Sequence, residues 1–318
     1  SVEFANQSTG YAGGEYAIYK TTNSGDFWFK LDNSPEWQTN DLQVINTNTV
    51  YAATQGGMYI TTDGGNTWDR INEGILASML WTLIIHPNDT QTFFVGGMFS
   101  VYKTTNGGAS WQEKTKGWRV SELTTTSSVD PYLYATGGPI FANQEVWVSS
   151  DNGVNWYVTQ DSLGTTDCGF FYYIEVNYND PKIAYHGCQQ HWGDDRCSHG
   201  GWIWRTADAG TTWTIAYQPD INPSGSDQHH LNCIVSNSGI PQYVYAGYEY
   251  KAADPSNPEL PGLIRSNNYG INGSWSSAIQ GLGTDSVYSI VVNKQDGDVL
   301  YVGTSSNGVY KSTDNADN

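Results

Sequence analysis

One ten-residue phrase recurs along the chain, and it restricts the fold more than any other feature. Its copies are Tyr19-Lys-Thr-Thr-Asn-Ser-Gly25-Asp-Phe-Trp28, Tyr59-Ile-Thr-Thr-Asp63-Gly-Gly65-Asn-Thr-Trp68 and Tyr102-Lys-Thr-Thr-Asn-Gly-Gly108-Ala-Ser-Trp111. They continue with Trp147-Val-Ser-Ser-Asp151-Asn-Gly153-Val-Asn-Trp156, Trp204-Arg-Thr-Ala-Asp208-Ala-Gly210-Thr-Thr-Trp213 and the stretched Ile264-Arg-Ser-Asn-Asn268-Tyr-Gly270-Ile-Asn-Gly-Ser-Trp275. A seventh, shorter copy is Tyr310-Lys-Ser-Thr-Asp314-Asn315. Successive glycines of the first six lie 40, 43, 45, 57 and 60 residues apart. Such a period belongs to an architecture built by stacking one supersecondary unit, and ~40 to 50 residues suits a propeller blade.

Each phrase follows a short strand of the form Tyr-Ala/Val-Gly/Ala, from Tyr11-Ala12-Gly13 to Tyr301-Val302-Gly303, and a further alternating stretch precedes that one, as in Trp81 to Ile85 or Val287 to Val292. With the strand that opens at the repeated Trp, this gives four short strands per unit with period-two patterning. Seven units predict an all-β, seven-bladed propeller. Its blades would span approximately 1–34, 35–76, 77–118, 119–162, 163–220, 221–282 and 283–318, forming one domain. The last unit lacks its fourth strand and closing Trp. Continuation of the chain, a three-stranded blade, or a strand arriving from another molecule would each account for that.

The repeated aspartates have a mechanical explanation. An Asp or Asn side chain accepts backbone N–H bonds within its own turn, glycine supplies a positive φ, and the Trp covers the hairpin. A residue required in every unit holds hairpins together, so Asp63, Asp151, Asp208 and Asp314 read as structural.

The phrase resembles the Asp-box, or BNR, repeat, and the match runs through essentially the whole chain. The resemblance implies the seven-bladed propeller of xyloglucanase-like and sortilin-like proteins, a group that also includes sialidases and a photosystem II assembly factor. The Asp227-Gln-His229 segment is similar to the Asp-x-His found before a blade in the xyloglucanase-like and sortilin-like members. Sialidases clamp a sugar carboxylate with three arginines, whereas this chain has only Arg70, Arg119, Arg196, Arg205 and Arg265, and Arg205 and Arg265 occupy repeated positions.

Charge narrows the partners. A net charge of −18 with no run of Lys and Arg repels polyanions, which argues against nucleic acid and anionic sialosides and leaves neutral or cationic ligands. The longest apolar run, Ile75 to Ile85, contains Ser78 and Thr82 and is shorter than the ~20 residues that span a bilayer, so no membrane insertion is expected. The four cysteines, Cys168, Cys188, Cys197 and Cys233, fall in one 66-residue window. Two local disulfides would place the protein outside the cell, secreted or at its surface, and four buried thiols are the other reading.

Candidate chemistry lies in the insertions, which should emerge at the end of the blades opposite the repeated turns. A glycosidase needs two facing carboxyl groups. The candidates are Asp167, Asp194, Asp195, Asp227 and Glu249, with Asp41, Glu122 and Asp285 in a wider set. Trp118, Trp192, Trp202, Tyr248 and Tyr250 offer flat faces to a pyranose ring, with His191, His229 and His230 beside them. His191, His199, His229 and His230 could hold a transition metal, although their spacing matches no tight ligand motif and no cofactor is otherwise expected. The resulting expectation is an extracellular module that binds a neutral glycan or another extracellular protein, including self-assembly by strand addition. The alternative is a glycoside hydrolase acting on a neutral polysaccharide through two loop carboxylates.

Overall fold

The computed structural model describes residues 1–126, 132–139, 145–159, 171–189, 201–219, 230–250, 260–293 and 296–317, and for 139, 171, 172, 188 and 189 the backbone alone. The strands form seven antiparallel sheets, each laid down in chain order from first strand to last. Blade 1 comprises β1 (Val2–Phe4), β2 (Gly10–Gly13), β3 (Ile18–Thr21) and β4 (Phe29–Lys30); blade 2 comprises β5 (Thr39–Val44), β6 (Val50–Thr54), β7 (Gly57–Thr61) and β8 (Asp69–Arg70). Blade 3 holds β9 (Leu80–His86), β10 (Asp89–Gly97), β11 (Val101–Thr104) and β12 (Gln112–Glu113), and blade 4 holds β13 (Trp118–Thr125), β14 (Leu133–Pro139), β15 (Glu145–Ser149) and β16 (Tyr157–Val158). Blade 5 is β17 (Phe171–Val176), β18 (Ala184–Gln189), β19 (Ile203–Thr206) and β20 (Thr214–Tyr217); blade 6 is β21 (Leu231–Ser236), β22 (Val244–Tyr248), β23 (Leu263–Ser266) and β24 (Trp275–Ser277). Blade 7 has three strands, β25 (Val287–Val292), β26 (Leu300–Thr304) and β27 (Val309–Ser312). This is a seven-bladed β-propeller with an incomplete last blade. Among the described residues no helix is long and apolar enough to cross a membrane.

The chain packs as two compact units. The first is Ser1–Thr125, Val129–Phe141 and Ser149–Trp156; the second is Thr126–Ser128, Ala142–Val148 and Tyr157–Asn318. In the first, Tyr11, Ile18 and Leu31 of blade 1 pack on Leu42, Val50 and Ala52 of blade 2, and Met58 and Ala77 continue the core into Leu80, Phe93, Val95 and Trp111 of blade 3. In the second, Tyr185 and Ile203 meet Leu231, Val244 and Ile264, and Tyr245 and Leu263 meet Val287, Ile290 and Val302. The small residues of the second strands permit this approach. A Cβ on Gly187 would lie 2.1 Å from a Leu231 methyl, so the next blade could not come so near.

The repeated turn is one hydrogen-bonded device. In blade 5 the Thr206 hydroxyl donates to Asp208 Oδ1 at 2.8 Å and accepts the Gly210 N–H at 2.9 Å, while Asp208 Oδ1 accepts the Thr212 N–H at 2.8 Å. Thr61–Asp63, Ser149–Asp151 and Ser312–Asp314 repeat the first bond, and Asn23 and Asn106 replace aspartate without loss of geometry. The bonds from Thr67 and Thr61 hold the Asp63 carboxyl down at about 2. For Asp151, burial pulls upward, but the bonds from Asn155, Ser149 and Val154 outweigh it and leave the carboxyl below its usual range.

A second device joins neighbours and is keyed to the same turn. The third-strand cation reaches the carbonyl just after the turn Asp or Asn of the next blade: Lys20 to Gly64, Lys103 to Asn152, Arg205 to Tyr269 and Arg265 to Asn315, at 2.8, 2.6, 2.7 and 2.6 Å. Blade 2 has Ile60 at that position, and there the Tyr51 hydroxyl donates to the Gly107 carbonyl at 3.2 Å.

Candidate functional site

Because every sheet is antiparallel, the second-to-third-strand turn and the lead into the next blade's first strand emerge at one end, opposite the repeated turns. In the first unit these connections are short and bonded to one another. Thr39 N–H donates to Gly14 O at 2.9 Å, Gln55 N–H to Gln38 O at 3.0 Å, Met98 N–H to Met79 O at 3.1 Å and Trp118 N–H to Phe99 O at 3.0 Å. The result is a fixed backbone from which Tyr16, Trp37, Leu76 and Phe99 project, exposed by 67, 51, 78 and 44%.

Trp37 has the most defined setting. The blade-2 turn is Thr54-Gln55-Gly56-Gly57, closed by the Thr54 hydroxyl, which donates to Gly57 O at 2.8 Å and accepts the Gly56 N–H at 2.9 Å. Gly57 takes φ of +112°, a conformation that favours glycine. Gly56 is needed for space, since a Cβ there would stand 2.3 Å from Trp37 Cδ1. The indole therefore rests against bare backbone while half of the residue's surface stays open. Beside it, Gln55 Nε2 donates to Gln38 Oε1 at 2.6 Å, which leaves amide donors and acceptors at the platform edge. An aromatic plane flanked by neutral amides can stack on an apolar ring face and bond to hydroxyls around it. Glu36 and Asp32 are exposed in the same lead, which disfavours anions.

The aromatic and acidic residues anticipated from sequence divide sharply. Tyr248 is wholly buried, its hydroxyl donating to Gly201 O at 2.7 Å, so its ring has no open face. Trp202 is half-buried, 5.9 Å from Trp204, which in turn stacks on His186 at 5.8 Å. Burial drives His186 down to about 4, against the weaker pull of its bond to Tyr173 O, so this imidazole is neutral and part of the packing. Trp118 is half-buried at the start of β13. Tyr250 is half-buried, its N–H donating to Ser286 Oγ at 3.0 Å.

Glu249 is the described member of the carboxylate set. Its side chain is 43% exposed, and its Oε2 lies 3.8 Å from Nε2 of the buried His230. The Glu249 N–H also donates to His230 O at 3.0 Å, so the pair is held by backbone as well as side chain. Asp167, Asp194, Asp195, Asp227, His191, Trp192, His199 and His229 lie outside the described residues, as do Cys168, Cys197 and the Cys188 side chain. Cys233 is half-buried in β21, with its sulfur packed near Gly247.

From the wider acidic set, Asp41 is the instructive case. Burial raises its carboxyl, but Oδ2 accepts the Leu83 N–H of blade 3 at 2.9 Å and Oδ1 accepts the Leu42 N–H and Ser1 hydroxyl at 2.9 and 3.1 Å. Both oxygens are engaged in joining blades. Glu175 does the same, accepting the Ser236 N–H at 3.0 Å. Asp285 is buried and accepts from Asn307 Nδ2 at 2.8 Å, while Glu122 is half-buried in β13.

Sequence reasoning missed the Trp37 platform because it sought function in the long insertions. Its signals were present: a tryptophan outside the repeat register, and a Gly56-Gly57 pair where other blades carry a bulkier turn.

No protein-family profile and no curated protein matches this chain. Solved propellers do. The structure titled YCF48 bound to D1 peptide aligns over 98% of this chain and 91% of its own, with a TM-score of 0.64 at 14% identity. The GH74 enzyme of Niastella koreensis aligns over 100% of this chain with a TM-score of 0.62 at 15% identity, and this chain spans 58% of its length. The Pan2 WD40 domain of Neurospora crassa aligns over 98% of this chain and 87% of its own, with a TM-score of 0.61 at 9% identity. At such identities the likeness is one of fold.

Proposed function

We propose that this Asp-box propeller is an extracellular recognition module that binds a neutral glycan at the loop end of its first blades. The carrying observation is the Trp37 indole, seated on Gly56 in a half-exposed residue, with the neighbouring Gln38–Gln55 amide pair. Tyr16 and Phe99, on the turns of blades 1 and 3, extend the same end with further aromatic surface. Net charge of −18 disfavours anionic ligands. Stacking supplies affinity, and the amides orient the hydroxyls that distinguish one sugar from another. The test is binding to immobilised neutral polysaccharides, compared between the native chain and Trp37→Ala.

A hydrolase reading rests on one observation, the exposed Glu249 carboxylate beside His230 at the loop end of blade 6. A glycosidase requires a second carboxyl ~5 to 9.5 Å away. Release of reducing ends from a neutral polysaccharide, abolished by Glu249→Gln, would establish it; absence of release by the native chain would leave recognition alone.

A further inference from the structure

In a chain of net charge −18, residues 77–118 of blade 3 carry Lys103, Lys114 and Lys116 against only two acids, Asp89 and Glu113. The β11–β12 hairpin of this blade borders a polar cavity of about 150 Å³, lined by Lys103, Thr105, Ser110, Gln112 and Lys114. Lys103 and Gln112 are cross-strand partners, and the lining residues stand at alternate positions, so they share one face of the hairpin. Each of the five carries a hydrogen-bond donor. Pockets for larger ligands run from ~300 Å³ upward, so this volume suits one small group.

Two departures from the repeat make the cavity what it is. The first is Lys114. Its backbone N–H donates to Val101 O at 2.8 Å, the bond that Leu31 makes to Ile18, Ile71 to Met58 and Ala278 to Leu263 at 2.9, 3.0 and 3.0 Å. A lysine therefore occupies a position that blades 1, 2 and 6 give to an apolar side chain. In blades 1 and 2 that side chain fills the junction with the next blade: a Cβ on Gly65 would lie 2.5 Å from a Leu31 methyl, and one on Gly108 would lie 2.5 Å from an Ile71 methyl. The corresponding Gly153 of blade 4 has Phe94 and Leu133 nearest to it instead. Lys114 turns aside, and its Nζ donates to Gln112 Oε1 at 3.2 Å.

The second departure is the pairing of Asn106 with Ser110. In blades 2 and 5 the hydroxyl at this position is spent as a donor, Thr67 to Asp63 Oδ2 at 2.7 Å and Thr212 to Asp208 Oδ2 at 2.6 Å. In blade 3 the bond is reversed. Asn106 Oδ1 accepts from the Thr104 hydroxyl and the Ser110 N–H at 2.8 and 3.0 Å, which fixes the amide so that Nδ2 donates to Ser110 Oγ at 2.9 Å. The Ser110 proton is thereby left for another acceptor, and the carboxylate that would repel an anion is replaced by a neutral amide.

Lys103 completes the set. It is 9% exposed and donates to Asn152 O at 2.6 Å, with further N–H groups to give. Burial and the nearby Lys114 hold its ammonium below the ordinary lysine value, against the weaker pull of Asp151 and Asp89. A bound anion would offset that penalty. The overall negative charge does not override the two lysines, because charges beyond about 8 Å are largely screened at ~0.15 M salt.

We infer that this cavity is a subsite for one tetrahedral oxyanion, sulfate or phosphate, held between Lys103 and Lys114 with Ser110, Thr105 and the Gln112 amide donating around it. Donors that converge from two strands and a turn match oxygens spread in three dimensions better than a planar carboxylate. The site is independent of glycan recognition, because it lies at the repeated-turn end of blade 3, whereas Trp37 stands at the loop end.

The test is calorimetric titration of the 318-residue chain with inorganic sulfate, inorganic phosphate, phenyl phosphate and acetate at constant ionic strength. Saturable binding of sulfate and phosphate is expected, with acetate at least ~10-fold weaker. Phenyl phosphate separates the two sources of the anion: binding at least equal to inorganic phosphate assigns a monoester, and loss of binding assigns the free ion, each in keeping with the inference. Two variants restore what other blades carry, so both are expected to fold. Lys114→Leu returns the apolar side chain of blade 1, and Asn106→Asp returns the carboxylate of blade 2; each should weaken sulfate and phosphate binding at least ~10-fold without lowering the thermal midpoint. Full binding by either folded variant would overturn the inference. So would acetate binding as tightly as sulfate, or no saturable binding of sulfate and phosphate by the native chain, and these two outcomes are decisive without any variant.

Discussion

The two ends of each blade obey different rules. At the turn end, Thr61–Asp63–Gly65, Thr206–Asp208–Gly210 and their counterparts repeat one hydrogen-bond pattern with distances that vary by a few tenths of an ångström. At the loop end nothing repeats except the backbone bonds between connections: Trp37 lies on Gly56, Glu249 faces His230, and Tyr248 is buried under Gly201. Repetition therefore marks residues that hold a blade, and departure from repetition marks where selection for another task is free to act. The same logic separates acids that look alike in sequence. Asp208 and Asp41 bond to the backbone and hold the fold, whereas Glu249 presents its carboxylate to solvent.

The strongest way to break this contrast is at the seat of a repeated tryptophan. Trp111→Ala would leave a cavity between blades 2 and 3 and should cost about 3 to 5 kcal/mol in a urea titration. A loss below ~1 kcal/mol would mean that the indole contributes little to the junction.

A pH titration examines the buried side of the loop end. His186 sits at about 4 in the folded protein, below the ordinary imidazole value of 6.5, so the unfolded chain binds more protons between these values. Stability should therefore be level above about pH 6.5 and fall as pH drops toward 4, by up to ~3 kcal/mol from this residue. His186→Phe should remove that portion of the slope. An unchanged slope would mean that the imidazole is hydrated rather than packed.

Smaller effects distinguish the parts of the repeated turn. Thr206→Val removes the donor to Asp208 and the acceptor for Gly210 and should cost about 1 to 3 kcal/mol, read as a lowered urea midpoint. Asp208→Asn should leave the midpoint nearly unchanged, because Asn23 and Asn106 already fill this role in blades 1 and 3. A large loss on that conservative change would assign the negative charge a purpose that the geometry does not require.

The sequence made the architecture legible because a repeat expresses its structural needs seven times over. The third-strand cations Arg205 and Arg265 are separated from a sugar-carboxylate clamp by their repeated positions, and they bond to the next blade's turn carbonyl. Their acceptors were illegible, because a bond to backbone leaves no residue type to recognise. The same blindness covers Asp41, whose partners are the N–H groups of Leu83 and Leu42, and Tyr248, whose burial depends on the neighbouring blade. Trp37 was hidden for the opposite reason. Its partner is Gly56, and what matters there is the atom that glycine lacks.

The most direct measurement is the binding of immobilised neutral polysaccharides to the native chain and to Trp37→Ala, with the thermal midpoint recorded for both. Glycan recognition at this platform predicts binding by the native chain, at least a ~10-fold loss on removing the half-exposed indole, and a midpoint that scarcely moves. Undiminished binding by Trp37→Ala, or no binding of any neutral glycan by the native chain, would contradict it.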